Sequence, residues 1–251
     1  MALMRDAIFH SEGFDPSSQM SPCAETRNQS LVAPRQRTQE PTYMSGSVIG
    51  LCYENGVLLA ADMGATTRFT RIPHQPRILK INENTMIGVS GDFADFQYLE
   101  KIIEAKMIDE ERKNEGFQMK PRSLYVYLSR LLYQRRNNFN PLWTNIIVTG
   151  MQDGKPFMGV VDMIGTAFET NLYSTGFGNY LGMGVMREAV EKHDGKLPLQ
   201  AAVEALQSVL RVLYYRNTAA FPDYQIGNCT ASGVKIEGPM RIDSEWEIAK
   251  H

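Results

Sequence analysis

The stretch Gly46-Ser-Val-Ile-Gly-Leu-Cys-Tyr-Glu-Asn-Gly-Val-Leu-Leu-Ala-Ala-Asp62 decides the reading of the fold. Apolar Val48, Ile49, Leu51 and Tyr53 lead into Glu54-Asn55-Gly56, and Val57-Leu58-Leu59-Ala60-Ala61 carries the chain on to Asp62. Asn-Gly between two apolar runs predicts a β-hairpin with a type I′ turn, whose two central residues take φ > 0. A buried strand that ends on a carboxylate invites a catalytic reading. The position facing Asp62 across the hairpin is Gly46, which has no side chain with which to attack a substrate.

Outward from this hairpin, Arg77–Ile81 and Thr85–Ser90 predict a second strand pair around Asn82-Glu83-Asn84. Asp92 is placed to cap a helix running to about Glu111, with Phe93, Phe96, Leu99, Ile103 and Met107 on one side. Pro121, suited to a first helical turn, opens a second helix to about Asn138, with Leu124, Leu128, Leu131 and Leu132 in a 3.6 period. Asn145–Met151 and Phe157–Asp162 flank the turn Gln152-Asp153-Gly154-Lys155. A shorter helix is expected near Tyr180–Lys192. Leu199, Ala202, Val203, Leu206, Leu210 and Leu213 then mark an amphipathic helix ending near Arg216, and a hairpin of Tyr224–Thr230 with Val234–Glu237 closes the pattern. Strand pairs alternating with helix pairs predict an α+β fold, a four-layer αββα sandwich of two antiparallel sheets between helix layers.

With 251 residues, a single domain plus a tail is the expectation, burying about 75% of the unfolded surface. The 26 basic and 28 acidic residues are interspersed and the net charge is −2. Neither a nucleic-acid footprint nor a polybasic membrane patch is expected from that balance. No run approaches the ~20 apolar residues of a membrane span. Three scattered cysteines (Cys23, Cys52, Cys229) read as reduced thiols of an intracellular compartment. Residues 1–37 are polar and aperiodic, too poor in apolar area to offset ordering entropy. They read as a leader, 38–45 as an extended arm, and 46–251 as the single compact domain.

Three motifs, Gly56-Val-Leu-Leu-Ala-Ala-Asp62, Ser90-Gly-Asp-Phe-Ala-Asp95 and Leu213-Tyr-Tyr-Arg216, resemble the beta subunits of the 20S proteasome, over roughly Gly46 to Ile248. Finer motifs (Ser90–Tyr98, Asn140-Pro-Leu-Trp143, Val212–Arg216 and Thr38-Gln-Glu-Pro41) resemble its seventh beta-ring position, a non-catalytic one. The resemblance implies the N-terminal nucleophile hydrolase fold. Active members of that class free a threonine by cleavage after a glycine, and its hydroxyl attacks the peptide carbonyl with help from an aspartate and a lysine. Carried over, the aspartate is Asp62, the threonine place sixteen residues earlier is Gly46, and the lysine place is Arg77. Two further polar supports fall on Asn179 and on Asn217 with Ala220. Of five polar positions only the aspartate survives, so the resemblance implies a degenerate site and no peptidase activity.

Alternatives stand beside this reading. Asp62 is either a catalytic remnant or a structural carboxylate paired with Arg77. Strand alternation turns Ser45 and Ser47 away from Asp62, yet a register shifted by one residue would make either the nucleophile of an active hydrolase. Arginine is a poor substitute for a catalytic lysine, because its pKa above ~12 keeps it charged. A free-standing binding role outside any particle is the third alternative. Asp95 reads as a structural hydrogen-bonding group, Trp143 as packing beneath the sheet or against a neighbour, and Gly176-x-Gly178 as a tight turn rather than a phosphate loop. His10, His74, His193 and His251 lack metal-ligand spacing, and neither metal nor cofactor is expected.

The resemblance further implies a removable prosegment. Arg35-Gln36-Arg37 before Thr38 suits cleavage after a basic residue, giving a mature chain that starts at Thr38. It implies as partners other beta subunits of the same and opposite rings, alpha-ring subunits and assembly chaperones, with a location in cytoplasm and nucleus. Trp246-Glu-Ile-Ala-Lys-His251 reads as shorter than the tail with which this position clamps two half-particles together.

Overall fold

The computed structural model describes residues 40–113, 116 and 118–247. A two-residue strand β1 (Met44–Ser45) precedes the hairpin of β2 (Val48–Tyr53) and β3 (Gly56–Asp62). Then come β4 (Gly64–Thr66), β5 (Arg71–Pro73), β6 (Ile78–Asn82) and β7 (Thr85–Asp92), and the helices α1 (Phe93–Lys113) and α2 (Pro121–Asn137). After β8 (Thr144–Gln152), β9 (Lys155–Val161), β10 (Ala167–Glu169) and β11 (Leu172–Ser174) lie α3 (Phe177–Leu181), α4 (Met183–Lys192) and α5 (Leu199–Arg216). The hairpin of β12 (Asp223–Thr230) and β13 (Gly233–Arg241) follows.

All strand pairs are antiparallel, in two sheets. One runs β10-β9-β8-β7-β1-β4-β5 with β6 also on β7; the other runs β11-β2-β3-β12-β13. The period-two rule sorts the hairpin's side chains between two cores. Ile49, Leu51, Leu58 and Ala60 face Met186 of α4 and Leu206, Val209, Leu210 and Leu213 of α5. Val48, Leu59 and Ala61 face the other sheet, meeting Ile78, Met86, Ile147 and Met158. On the far side Ile87, Val89, Ile146 and Val148 pack on Leu99 and Ile103 of α1 and Leu124, Leu128 and Leu132 of α2. These three cores make the expected four layers.

Local chemistry explains most of the element ends. Asp92 caps α1 by accepting the Ala94 and Asp95 N–H groups at 3.1 and 3.2 Å, and the helix runs two residues past the expected end. Pro121 is the first residue of α2. Asp153 and Gly154, at φ 50° and 78°, make the I′ geometry of the β8–β9 hairpin.

Three details depart from the sequence reading. The Gly46–Asp62 hairpin pairs Tyr53 with Gly56 and Val48 with Ala61. Its central residues are therefore Glu54 and Asn55, and neither has positive φ. The register continued by one residue brings Ser47, not the expected Gly46, opposite Asp62. Gly56 is needed for close approach instead: a Cβ there would lie 2.3 Å from the Cys229 carbonyl oxygen. The helix expected over Tyr180–Lys192 begins earlier and breaks at Gly182 into α3 and α4; a Cβ at Gly182 would lie 2.3 Å from Val209 Cγ1 of α5. Finally, Met44 and Ser45, read as part of an arm, pair with both β4 and β7. Strands of two or three residues carry too little alternation to be read from sequence.

Candidate functional site

Asp62 ends β3 opposite Tyr224 of β12, and Arg77 lies just before β6. Asp62 is 5% exposed and Arg77 is wholly buried. Two buried charges are tolerable only when paired and hydrogen-bonded, and here both conditions hold. The guanidinium forms an ion pair with Asp62 Oδ1 through NH2. Its Nε donates to the Asp62 carbonyl at 2.9 Å, NH1 to the Gly46 carbonyl at 2.6 Å, and NH2 to the Ser47 and Asp62 carbonyls at 3.0 and 2.7 Å. The Arg77 N–H donates to Gln225 Oε1 at 2.9 Å, and Asp62 Oδ2 accepts the Phe221 N–H at 3.0 Å.

Burial lifts the Asp62 carboxyl above the ordinary carboxylate range, while the Arg77 charge and the Phe221 N–H pull against it. Burial likewise lowers the Arg77 guanidinium, and Asp62 opposes that shift. A residue with so high an intrinsic pKa stays protonated and cannot relay a proton. Arg77 therefore works as a fixed cross-link among residues 46, 47 and 62. Asp62 is held by an ion pair and a backbone N–H, as a structural carboxylate would be.

Gly46 is packed against this pair. A Cβ built on it would sit 2.5 Å from Asp62 Oδ1 and 2.8 Å from Oδ2. The carboxylate thus occupies the volume in which a side chain at residue 46 would begin. Neither neighbouring serine supplies an alternative hydroxyl. Ser45 Oγ donates to the Gly91 carbonyl at 2.8 Å, and Ser47 Oγ accepts the Gly178 N–H at 2.9 Å. Ser47 does share a cavity with Asp62, walled by Leu210, Leu213, Phe221 and Ile242. At about 10 Å³ it has scarcely room for one water.

The remaining sequence-predicted positions are partly gathered. Asn217 and Ala220 line the same cavity. Asn217 Oδ1 accepts the Ala219 N–H at 3.1 Å, and Ala220 is apolar and buried. Asn179 is exposed on α3 and does not line the cavity. Asp95 accepts the Trp143 N–H at 2.8 Å, the structural role expected of it. His74 and His193 are exposed, and among the described residues no cluster of His, Cys, Asp or Glu could hold a metal. The processing position Arg37–Thr38, Cys23, His10 and His251 lie outside the described residues.

Three contributors were not legible in the sequence. The Phe221 amide and Gln225 reach the pair through the β3–β12 register, a long-range contact without a local signal. Arg71 donates to the Thr218 and Ala220 carbonyls at 2.8 and 2.6 Å and lies 4.6 Å over the Phe221 ring, holding that segment against Asp62.

A protein-family model described as "Proteasome subunit" matches residues 42–228. The chain is 39% identical over 222 residues to "Proteasome subunit beta type-4" of Xenopus laevis, covering 87% of this chain and 90% of that protein. It is 36% identical to the protein of the same name from Drosophila melanogaster, covering 81% and 76%. "Proteasome subunit beta type-7" of Saccharomyces cerevisiae is 30% identical, covering 87% and 86%.

Proposed function

We propose, from the premise that this chain belongs to the proteasome subunit family, that it is a non-catalytic structural beta subunit of the 20S core particle, of the type-4 kind. The observation that carries the reading is the Gly46–Asp62–Arg77 constellation. Residue 46 carries no hydroxyl, and the carboxylate packed against it is taken up by a guanidinium. A nucleophile needs a base or a lowered pKa to be activated, and neither is on offer. The chain contributes walls to a proteolytic chamber, and other subunits supply the cutting residues.

It assembles with other proteasome subunits. In finer terms we place its contacts with beta subunits of its own and the opposite ring and with the alpha ring, its maturation with assembly chaperones, and its location in cytoplasm and nucleus. Residues 1–37 are read as a prosegment removed before Thr38, because Arg35-Gln-Arg37 suits a basic-directed cleavage. The register-shifted hydrolase using Ser45 or Ser47 is not favoured, since each hydroxyl is engaged with backbone, Ser45 with the Gly91 carbonyl and Ser47 with the Gly178 N–H.

The test is to purify core particles that carry the tagged chain and treat them with a threonine-directed covalent probe. Intact-mass measurement of every subunit then reads the outcome. The expected result is labelling of other subunits, none on this chain, and a mature mass beginning at Thr38. A probe adduct on this chain would refute the non-catalytic assignment; a mass beginning at Met1 or Gly46 would refute the processing site.

A further inference from the structure

Residues 242–247 follow β13 and run back over the final turn of α5. The β12–β13 ladder ends with Asp223 opposite Arg241. One further backbone bond extends it, from the Ile242 N–H to the Pro222 carbonyl at 2.8 Å. The Ile242 side chain is buried in the core formed with α5, and it walls the Asp62 cavity beside Leu210, Leu213 and Phe221. Three residues on, the Glu245 N–H donates to Tyr215 Oη at 2.6 Å. The Trp246 ring then stands edge-on to Tyr214 and Tyr215, with centroids 5.8 and 5.1 Å away. One turn of helix therefore serves two purposes. Leu213 faces the cavity, and Tyr214 and Tyr215 seat the segment that closes it.

We propose that residues 242–247 are a lid on the Asp62 cavity, with Ile242 as its plug and Trp246 as its clasp, and that this lid opens as a unit while the rest of the domain stays folded. Its attachments are few and peripheral. Trp246 is 47% exposed, and two edge-to-face aromatic contacts with a pair of hydrogen bonds are weak beside the cooperative stability of a domain. Segments held by so little open locally, ahead of global unfolding. Opening reaches the carboxylate through the backbone. Phe221, whose N–H donates to Asp62 Oδ2 at 3.0 Å, immediately precedes Pro222, whose carbonyl holds Ile242. Closed, the cavity of about 10 Å³ has scarcely room for one water. With Ile242 withdrawn, water reaches Asp62 and weakens its attraction for Arg77, because a charge pair is strongest where the surroundings are dry. The lid thus sets how firm the cross-link among residues 46, 62 and 77 is. It is built from this chain alone and stands apart from the subunit reading.

The experiment is residue-resolved hydrogen exchange on the full-length chain. In the unsubstituted protein, the Glu245 and Phe221 amides are expected to exchange through one shared opening, and that opening should depend less on urea than the opening of the β3 amides. Trp246→Ala should speed exchange at both amides roughly tenfold or more, since two aromatic contacts are lost at once. The α2 amides, in another layer, should stay protected as before. Trp246→Phe should give back part of the loss, because an aromatic edge remains to meet the tyrosines. Faster exchange at Glu245 with Phe221 unchanged would mean a frayed end instead of a lid, and would overturn the proposal. So would an equal loss of protection in every element including α2, or failure of the Trp246→Ala chain to fold, since the segment would then belong to the cooperative core. Separate urea dependences for Glu245 and Phe221 in the unsubstituted chain would overturn it without any variant.

Discussion

Replacing Gly46 by threonine puts a hydroxyl at the place where the resemblance expects a nucleophile. The structure predicts that it destabilises the protein and confers nothing. The Cβ common to Ala and Thr would approach Asp62 Oδ1, Oδ2 and Cγ at 2.5, 2.8 and 3.0 Å, where ordinary contact begins at 3.4 Å. The carboxylate must therefore retreat by most of an ångström. It has nowhere to go without loosening the Arg77 ion pair or the Phe221 hydrogen bond. Overpacking of this kind costs about 1–3 kcal/mol, and full loss of a buried pair about 3–5 kcal/mol. Gly46→Ala should sit in the first range and Gly46→Thr, with two further heavy atoms, at its upper end or beyond. For a domain of this size that corresponds to a melting point lower by roughly 2–12 °C. Differential scanning calorimetry on the full chain reads the shift, and probe labelling of assembled particles reads the chemistry. A Gly46→Ala variant that melts with the unsubstituted protein, or a Gly46→Thr variant that takes up the probe, would refute the reasoning.

Asp62→Asn keeps the shape but strands the Arg77 charge, and should cost about 3–5 kcal/mol by urea denaturation. Combined with Arg77→Met it should cost clearly less than the two single losses added together, as coupled neighbours do; strict additivity would mean the pair does not interact. Asp92→Ala removes the α1 cap and should cost about 0.5–2 kcal/mol, and an unchanged urea midpoint would contradict the capping geometry. Burial pushes the Cys52 thiol up to about 12 and the Cys229 thiol up to about 11. Both should resist iodoacetamide at pH 8 in the folded chain and react once it is denatured, as read by peptide mass mapping. Because these folded pKa values lie above the unfolded value near ~8.5, their contribution is complete below that pH and is lost as pH rises towards 11 and 12. Cys52→Ala should accordingly flatten the alkaline fall in stability, and an identical alkaline profile would argue against the burial.

The four layers were legible because the long elements carry their periodicity plainly. The alternation of Ile49 and Leu51 with Val48, and of Leu58 and Ala60 with Leu59 and Ala61, fixes which face meets a helix and which meets the second sheet. Asp92, Pro121 and Asp153-Gly154 announce their own turns and caps. The short strands β1, β4, β5, β10 and β11 were not visible, since two or three residues form a strand only where a neighbour already offers its edge. The φ expected at Gly56 and the helix break at Gly182 escape the sequence for one reason. Their lack of a side chain answers to a close contact from a distant segment, the Cys229 carbonyl and Val209, and not to their own φ. At the site, the residue types at 46, 62 and 77 sufficed to argue that catalysis was absent. That Arg77 would hold the carbonyls of Gly46, Ser47 and Asp62 together required three segments to be seen at once.

That triple grip bears on what new side chains at residues 46 and 77 would cost the fold. A hydroxyl gained at residue 46 would collide with the acid that the guanidinium holds in place, and a lysine gained at residue 77 would release backbone oxygens that only a five-donor fork can reach together. Either change made alone costs folding stability. The two positions are tolerant of exchange only together, so the trio behaves as a latch.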